Sequence, residues 1–431
     1  LGMMVNAIYN LVDAYFVGSL GTSQMGAISV VYPLGQVVVG LGLLFGNGSA
    51  SYLSRLLGKG DKEKANQVAS TALYSSITVG AIMIILSIIF LRPILKFLGA
   101  TDSIMPYAIT YASIYIISCI FNVFNVTMNN IVTSEGAAKT TMCALMTGAI
   151  LNIGLDPVFI YILNMGVAGA AIATAISQIV STLVYLTFIL RKKSTYHFRI
   201  RNFSFTKDIM SEIFKIGIPT LVFQILTSLS ISFVNTKSMV YGDSVIAGMG
   251  AVTRIVSMGS LMVFGFIKGF QPIAGYSYGA KKFYRLQEAI KTSILWSTIF
   301  CVIYGLILAI FSKGIISQFT KMDLDMIRVG TQSLRINGFS FMLFGFYTVY
   351  SSLLLALGKG LAGFFLGACR QGICFIPVIL ILPVFWGING IMYAQPIADV
   401  LSAVITIFMA VHLHKELALS KQKFLSGQQN T

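Results

Sequence analysis

Read for hydrophobic and polar positions, the chain is a succession of long apolar runs broken by short polar turns. Most runs exceed the roughly 20 apolar residues that cross a bilayer as a helix. The pattern predicts twelve spans, at 1–19, 26–52, 66–91, 105–133, 140–163, 166–190, 213–237, 245–277, 288–312, 325–357, 361–384 and 387–411. Apolar sequence begins at Leu1, so the first helix is expected to be cut at its start. One long basic segment, from Arg191 through Lys207, divides the chain near its middle. The expected organisation is a six-helix lobe at 1–190, a basic cytoplasmic linker at 191–212, a second six-helix lobe at 213–411 and a polar, mobile cytoplasmic tail at 412–431.

Composition strengthens this reading. Hydrophobic residues make up 56% of the chain and charged residues 10%, against about a quarter charged in soluble domains. The net charge of +16 does not indicate nucleic acid, because the lysines and arginines sit in alternate loops. One set of loops holds Arg55, Lys59, Lys62, Lys64, Lys139, the 191–215 cluster, Lys281, Lys282, Arg285, Lys291 and Lys359. The other holds Arg92, Lys96, Lys237, Lys313, Lys321 and Arg328. The excess marks the first set as cytoplasmic and puts both termini inside. The five cysteines and three histidines show neither metal-ligand spacing nor a disulfide framework.

The two halves resemble each other. Gly58-Lys-Gly-Asp recurs as Gly279-Ala-Lys-Lys, and Gly166-Val-Ala-Gly169 as Gly387-Ile-Asn-Gly390, both at an offset of 221 residues (58 to 279, 166 to 387). Two six-span halves entering the membrane the same way round form a parallel repeat, which points to a transporter with a central cavity.

Ionisable groups inside apolar spans are expensive and usually functional. In the fifth span, Asn152 and Asp156 are four apart and share one helix face. Pro157 has no amide hydrogen and leaves the Ile153 carbonyl without its helical partner. In the first span, Asp13 lies one turn from Tyr9, whose phenol can reach the carboxyl group. Asn122, Asn125 and Asn129 form a polar stripe in the fourth span, open to two readings: a site role or hydrogen bonding between helices. Thr174 lies in a small-residue helix suited to close packing. The second half carries Arg254, Lys268, Arg335, Arg370 and Asp399. Most of these are expected to snorkel from span ends, and Asp399 has no polar stripe beside it, so the chemistry is expected in the first half. No phosphate loop, metal-ligand cluster or nucleophile motif is present, which argues against an enzyme and against a cofactor.

Tyr9-Asn10-Leu-Val-Asp13-Ala-Tyr-Phe-Val-Gly18, Gly58-Lys-Gly-Asp61, Asn152-Ile-Gly-Leu-Asp156-Pro157, Gly166-Val-Ala-Gly-Ala-Ala-Ile-Ala-Thr174 and Gln271-Pro-Ile-Ala-Gly-Tyr-Ser-Tyr-Gly-Ala280 together resemble the MATE family of multidrug and toxic compound extrusion transporters. The second half looks most like its bacterial MepA-type branch. The resemblance implies an all-α integral membrane protein with twelve transmembrane helices in two pseudo-symmetric lobes. It also implies antiport of organic cations against Na+ or H+. The coupling-cation site it implies comprises Asp13, Asn152, Asp156 and Thr174, with Tyr9, Asn125 and Asn129 as a supporting polar network. Family members with acids in the seventh and tenth helices differ from this chain, whose seventh span offers Gln224 and Thr227.

The expected protein is therefore a monomeric, multi-pass antiporter of the cytoplasmic (inner) membrane. It would export small amphipathic or cationic molecules by alternating access, with no nucleic-acid partner. Met128, Phe223, Met258 and Phe344 are candidates for its substrate cavity. A lipid-linked precursor flippase of the same two-lobe architecture is the alternative, and a channel or receptor without coupled export is a third reading. The loop charges also make a direct prediction. In a cysteine-free background, a cysteine introduced near Lys193 is expected to react with an impermeant thiol reagent only from the cytoplasmic side. One near Thr320 should react only from outside. The reverse labelling would overturn the twelve-span topology.

Overall fold

The structure is a computed structural model and describes residues 2–279, 282–320, 322–357 and 359–429. Among these, the regular elements are all helical. In the first half they are α1 (Gly2–Gly18), α2 (Thr22–Lys59), α3 (Lys62–Ile89), a short α4 (Leu91–Phe97), α5 (Met105–Ser134), α6 (Ala138–Pro157) and α7 (Gly166–Leu190). The second half contains α8 (Lys207–Met239), α9 (Asp243–Gly279), α10 (Phe283–Ile310), a short α11 (Ser312–Ile316), α12 (Leu324–Phe341), α13 (Phe344–Ala356), α14 (Gly360–Ala368) and α15 (Phe375–Gln429). Local chemistry sets the breaks. Gly60, at φ 76°, ends α2 in the left-handed conformation, and the Asp61 carboxylate then accepts the Lys64 amide at 3.1 Å to cap α3.

Nine helices among the described residues are long and apolar enough to span a membrane, or ten when α12 and α13, bent by 50°, count as one. Two further spans escape that criterion. Helix α1 has 17 residues, and the continuous stretch Leu361–Leu419 breaks at Gly387, whose φ of 56° and ψ of −133° are not helical. Twelve spans are thus consistent with the helices seen.

The helices bury small and polar residues and expose large apolar ones. Helix α3 encloses Ala65, Ala69, Ser70, Thr71, Ala72, Ser75, Ser76 and Gly80, while Ile82, Ile85, Ile89 and Phe90 are exposed. Hydrocarbon solvates isoleucine as well as a protein interior does, so association relies on close packing and interhelical hydrogen bonds instead.

The chain divides into two compact units, Leu1–Arg254 with Ile316–Ile327, and Ile255–Ile315 with Arg328–Thr431. Within the first, α2 packs most extensively on α8 and α5. Glycines set the α2–α8 distance: a Cβ on Gly217 would lie 2.1 Å from the Leu44 carbonyl oxygen, and one on Gly48 would lie 2.4 Å from that of Ile213. Pro33 sits inside α2 and cannot donate to the Ser29 carbonyl one turn back. The Asn235 amide on α8 donates to that carbonyl at 3.0 Å. The basic linker is anchored to this unit: Tyr196 is buried among Leu53, Leu56 and Val68, and Ser194 donates to Glu135 at 3.0 Å. Elsewhere in the unit Asp243 accepts from Ser23, Thr101 and Ser103, and Asp323 accepts from Thr22 and Ser244. Burial opposes ionisation of Asp323, but the donated hydrogen bonds from the Met326 amide, Thr22 and Ser244 outweigh it and hold the carboxyl below its ordinary value.

The second unit corrects two expectations. Arg370 does not snorkel. It lies on a π-helical turn, Cys369–Ile373, and its Nε donates to Asp399 at 2.8 Å. Ser340 and Gln395 also donate to Asp399, each at 2.8 Å, so this carboxylate has a polar environment after all. The guanidinium sits 4.7 Å above the Phe344 ring. The helix of the last span runs on to Gln429, with Leu413 and Leu417 buried one turn apart. Glu416 pairs with Lys359, and His414 with the Tyr350 hydroxyl.

Backbone geometry repeats between the halves. Gly21 and Gly242 have φ of 146° and 99°, and Gly166 and Gly387 have 55° and 56°. Both pairs stand at the 221-residue offset (21 to 242, 166 to 387). The α2–α8 seam yields a prediction. Gly217→Ala is expected to destabilise the protein by about 1–3 kcal/mol, because backbone must move to admit the methyl group. Gly154→Ala, with nothing within 4 Å, is expected to be neutral or to stabilise by about 0.5–1 kcal/mol. Thermal unfolding in detergent checks both, and equal losses would contradict the packing account.

Candidate functional site

The sequence-predicted acids meet inside the first unit. Helix α1 packs on α6, and α6 on α7, which brings three polar faces together. Asp13 is buried on α1, beside the fully enclosed Ala14 and Val17. Asn152 and Asp156 are buried one turn apart on α6, and Thr174 is buried on α7. The Asn152 amide donates to Asp156 Oδ1 and to Thr174 Oγ1, both at 3.4 Å. These are long contacts that position the groups without satisfying them. Asp13 joins the pair across the packing contact of α1 with α6.

Three oxygens of this cluster are buried without a hydrogen-bond partner: Asp13 Oδ1, Asn152 Oδ1 and Asp156 Oδ2. An orphaned acceptor in a low-dielectric interior is costly. Three together, two of them carboxylate oxygens, form a donor set suited to a small hard cation. A proton on either carboxyl group would relieve the same strain. Among the described residues, no group of three or more His, Cys, Asp or Glu side chains could hold a metal ion, so the cluster lacks the ligands of a transition-metal centre.

The site's third charge comes from a residue expected to snorkel. Arg254, on α9, is buried, with its Nη1 3.9 Å from Asp13 Oδ2. Its Nη2 donates to the Ile28 carbonyl at 3.1 Å, and the guanidinium lies 5.2 Å from the Tyr32 ring centroid. Its position near the start of the eighth span gave no sign of this, since the acid it meets lies on another helix.

The asparagine stripe serves a neighbouring network. Asn125 donates to the Gln178 carbonyl at 2.9 Å and to its Oε1 at 2.8 Å, and accepts from Thr182 at 2.9 Å. Asn129 donates to the Tyr185 hydroxyl at 3.3 Å. Gln178, Thr182 and Tyr185 therefore form a polar ladder along α7 that ties α5 to α7, continuing from Thr174 at the Asn152–Asp156 pair. Gln178 and Thr182 were legible at steps of four from Thr174 but were not singled out. The Tyr9 side chain lies outside the described residues.

The four cavity candidates separate. Met128 is fully enclosed with Leu73, Phe124, Val132, Ala144 and Tyr185. Phe344 is enclosed against Phe264, Phe341 and Tyr347. Phe223 and Met258 are half-buried.

Comparisons with known proteins agree with the fold and the motifs. The family model described as MatE matches residues 1–158 and 219–381. Multidrug export protein MepA of Staphylococcus saprophyticus is 30% identical over 430 residues, covering 99% of this chain and 94% of that protein. MepA of Staphylococcus haemolyticus is 29% identical over 426 residues, with the same coverage. Among solved structures, the inward-facing conformation of a multidrug resistance MATE family transporter of the MOP superfamily superposes with a TM-score of 0.89 at 24% identity, covering 97% of this chain and 96% of that one. An outward-facing conformation of such a transporter gives 0.78 at 25% identity, covering 97% and 94%.

Proposed function

This chain belongs to the MatE family, and from that membership we propose that it is a secondary active efflux antiporter of the cytoplasmic membrane. It exports small amphipathic or cationic molecules in exchange for Na+ or H+ and carries out no enzymatic reaction. The observation that carries this reading is the cluster of three buried, partnerless oxygens on Asp13, Asn152 and Asp156. Such a cluster has no structural merit in an apolar bundle. It suits a group that must take up and release a positive charge.

In the proposed cycle, Asp13 and Asp156 bind the coupling cation, and Asn152 and Thr174 serve as neutral oxygen ligands. Without it, the two carboxylates repel each other across the α1–α6 contact. With it, they attract α1 and α6 to a common centre. Binding therefore changes the preferred packing of α1, as a ligand that shifts a conformational equilibrium must. The polar ladder from Thr174 to Tyr185 carries the site's hydrogen bonding along α7. We place the two lobes at 1–190 and 213–411, both termini in the cytoplasm, and the working unit as a monomer. Phe223 and Met258 remain proposed cavity residues, and Met128 and Phe344 act by packing.

A flippase for lipid-linked anions needs free cations facing its cavity. Arg254 is engaged by Asp13 and Arg370 by Asp399, which favours the antiporter. The Lys268 side chain lies outside the described residues.

Vesicles energised with either an Na+ or an H+ gradient test the site. Asp13→Asn and Asp156→Asn each keep size and hydrogen bonding while removing a charge. Uphill export of a fluorescent organic cation is expected to fall to near background in each. The double variant should be little worse, because residues acting as a unit are not additive. Binding of the organic cation itself should survive in part. Export at the native rate by Asp156→Asn, at equal protein level, would show that acid to be structural.

A further inference from the structure

With both carboxyls ionised, the charges of the cluster do not balance: Asp13 and Asp156 supply two negative charges, and Arg254 one positive. Arg254 is the first cation the carboxylates meet, yet its seat keeps it from completing the site. Ile28 and Tyr32 lie one turn apart on α2, and they hold the guanidinium by a 3.1 Å hydrogen bond and by stacking. That seat leaves Nη1 at 3.9 Å from Asp13 Oδ2, beyond hydrogen-bond reach. The other Asp13 oxygen stays partnerless. The seat is itself anchored, because the next carbonyl, that of Ser29, is freed by Pro33 and taken by Asn235. The arginine thus acts on the site through its charge and leaves the oxygen ligands open.

We propose that Arg254 is the specificity-determining residue of the coupling site, leaving one net negative charge so that the site accepts a single monovalent cation and rejects divalent ions. The inference rests on the cation-site reading above. A site of two free carboxylates in a low-dielectric setting would attract Ca2+ strongly and release even Na+ slowly. A fixed positive charge nearby weakens both interactions, the divalent one twice as much, since Coulomb energy scales with the product of the charges. An exchanger needs release as much as binding, so a residue that lowers affinity serves turnover. Arg254 touches no ligand position and is a positioning charge.

Thermal unfolding of the purified protein in detergent, with NaCl or CaCl2 replacing choline chloride at constant ionic strength, reads ion binding without transport. The wild-type chain is expected to ignore Ca2+. R254Q and R254M, which retain side-chain bulk over Tyr32, should half-saturate with Na+ at a concentration lower by about tenfold or more. Both should also gain stabilisation by Ca2+. A merely structural arginine would lower the unfolding temperature and leave ion responses unchanged, and that result overturns the proposal. N152D provides a second route with Arg254 intact. It restores two net negative charges and must also confer a Ca2+ response; an N152D protein blind to Ca2+ overturns the charge count. D156N separates the levels. If it abolishes the Na+ response while R254Q behaves as wild type, only the role of Arg254 fails. If D156N responds as wild type, the cation site fails as well. If none of the proteins responds to either ion, the role of Arg254 and an Na+ site both fail, and the proton alone is left as the coupling ion.

Discussion

Everything in this protein's functional core depends on the cost of holding ionised groups away from water. Two carboxylates, one on α1 and one on α6, share an interior with a single guanidinium. Each buried charge must be paired or neutralised, and with both carboxyls ionised the pairing falls one charge short. The rest of the first unit can be understood as the framework that maintains this shortfall. Asn152 bridges Asp156 and Thr174 through two long contacts. The proline in α2 frees the Ser29 carbonyl for α8, and the neighbouring Ile28 carbonyl accepts from Arg254 of α9. Glycines at the α2–α8 seam hold the helices close enough for those bonds to form.

The second unit shows the contrasting solution. Asp399 receives Arg370, Gln395 and Ser340, each at 2.8 Å. That carboxylate is fully engaged and has no need of an external cation, so the pair acts as a structural pin. The same residue types, buried to the same degree, therefore take opposite roles according to whether their oxygens are satisfied. The distinction rests on hydrogen-bond completeness rather than on burial.

Much of this was legible in the sequence, for identifiable reasons. Long apolar runs require helices in a membrane, because no other open structure satisfies the backbone there. Asn152 and Asp156 announced themselves by a spacing of four within such a run. The glycines at a constant offset reflected real backbone geometry, since Gly166 and Gly387 both need positive φ. Thr174 was singled out by resemblance alone, as its surroundings read equally well as packing. Arg254 and Arg370 were misjudged because an arginine near a span end can reach the interface, and a one-dimensional pattern does not reveal an acid on a distant helix. Gln395, one turn before Asp399, was the missed local signal for the second pair.

In the proposed cycle one cluster exchanges a small cation against movement of the exported molecule. The most direct test reverses the usual driving force. Proteoliposomes are given a gradient of an organic cation with no gradient of Na+ or H+, and the internal concentrations of both ions are followed. Coupled exchange through the Asp13–Asp156 cluster predicts that one of the two ions moves opposite to the organic cation, against the gradient this creates, until the two driving forces balance. Organic-cation flux with neither ion displaced would contradict the account, because the cluster would then have no charge to exchange.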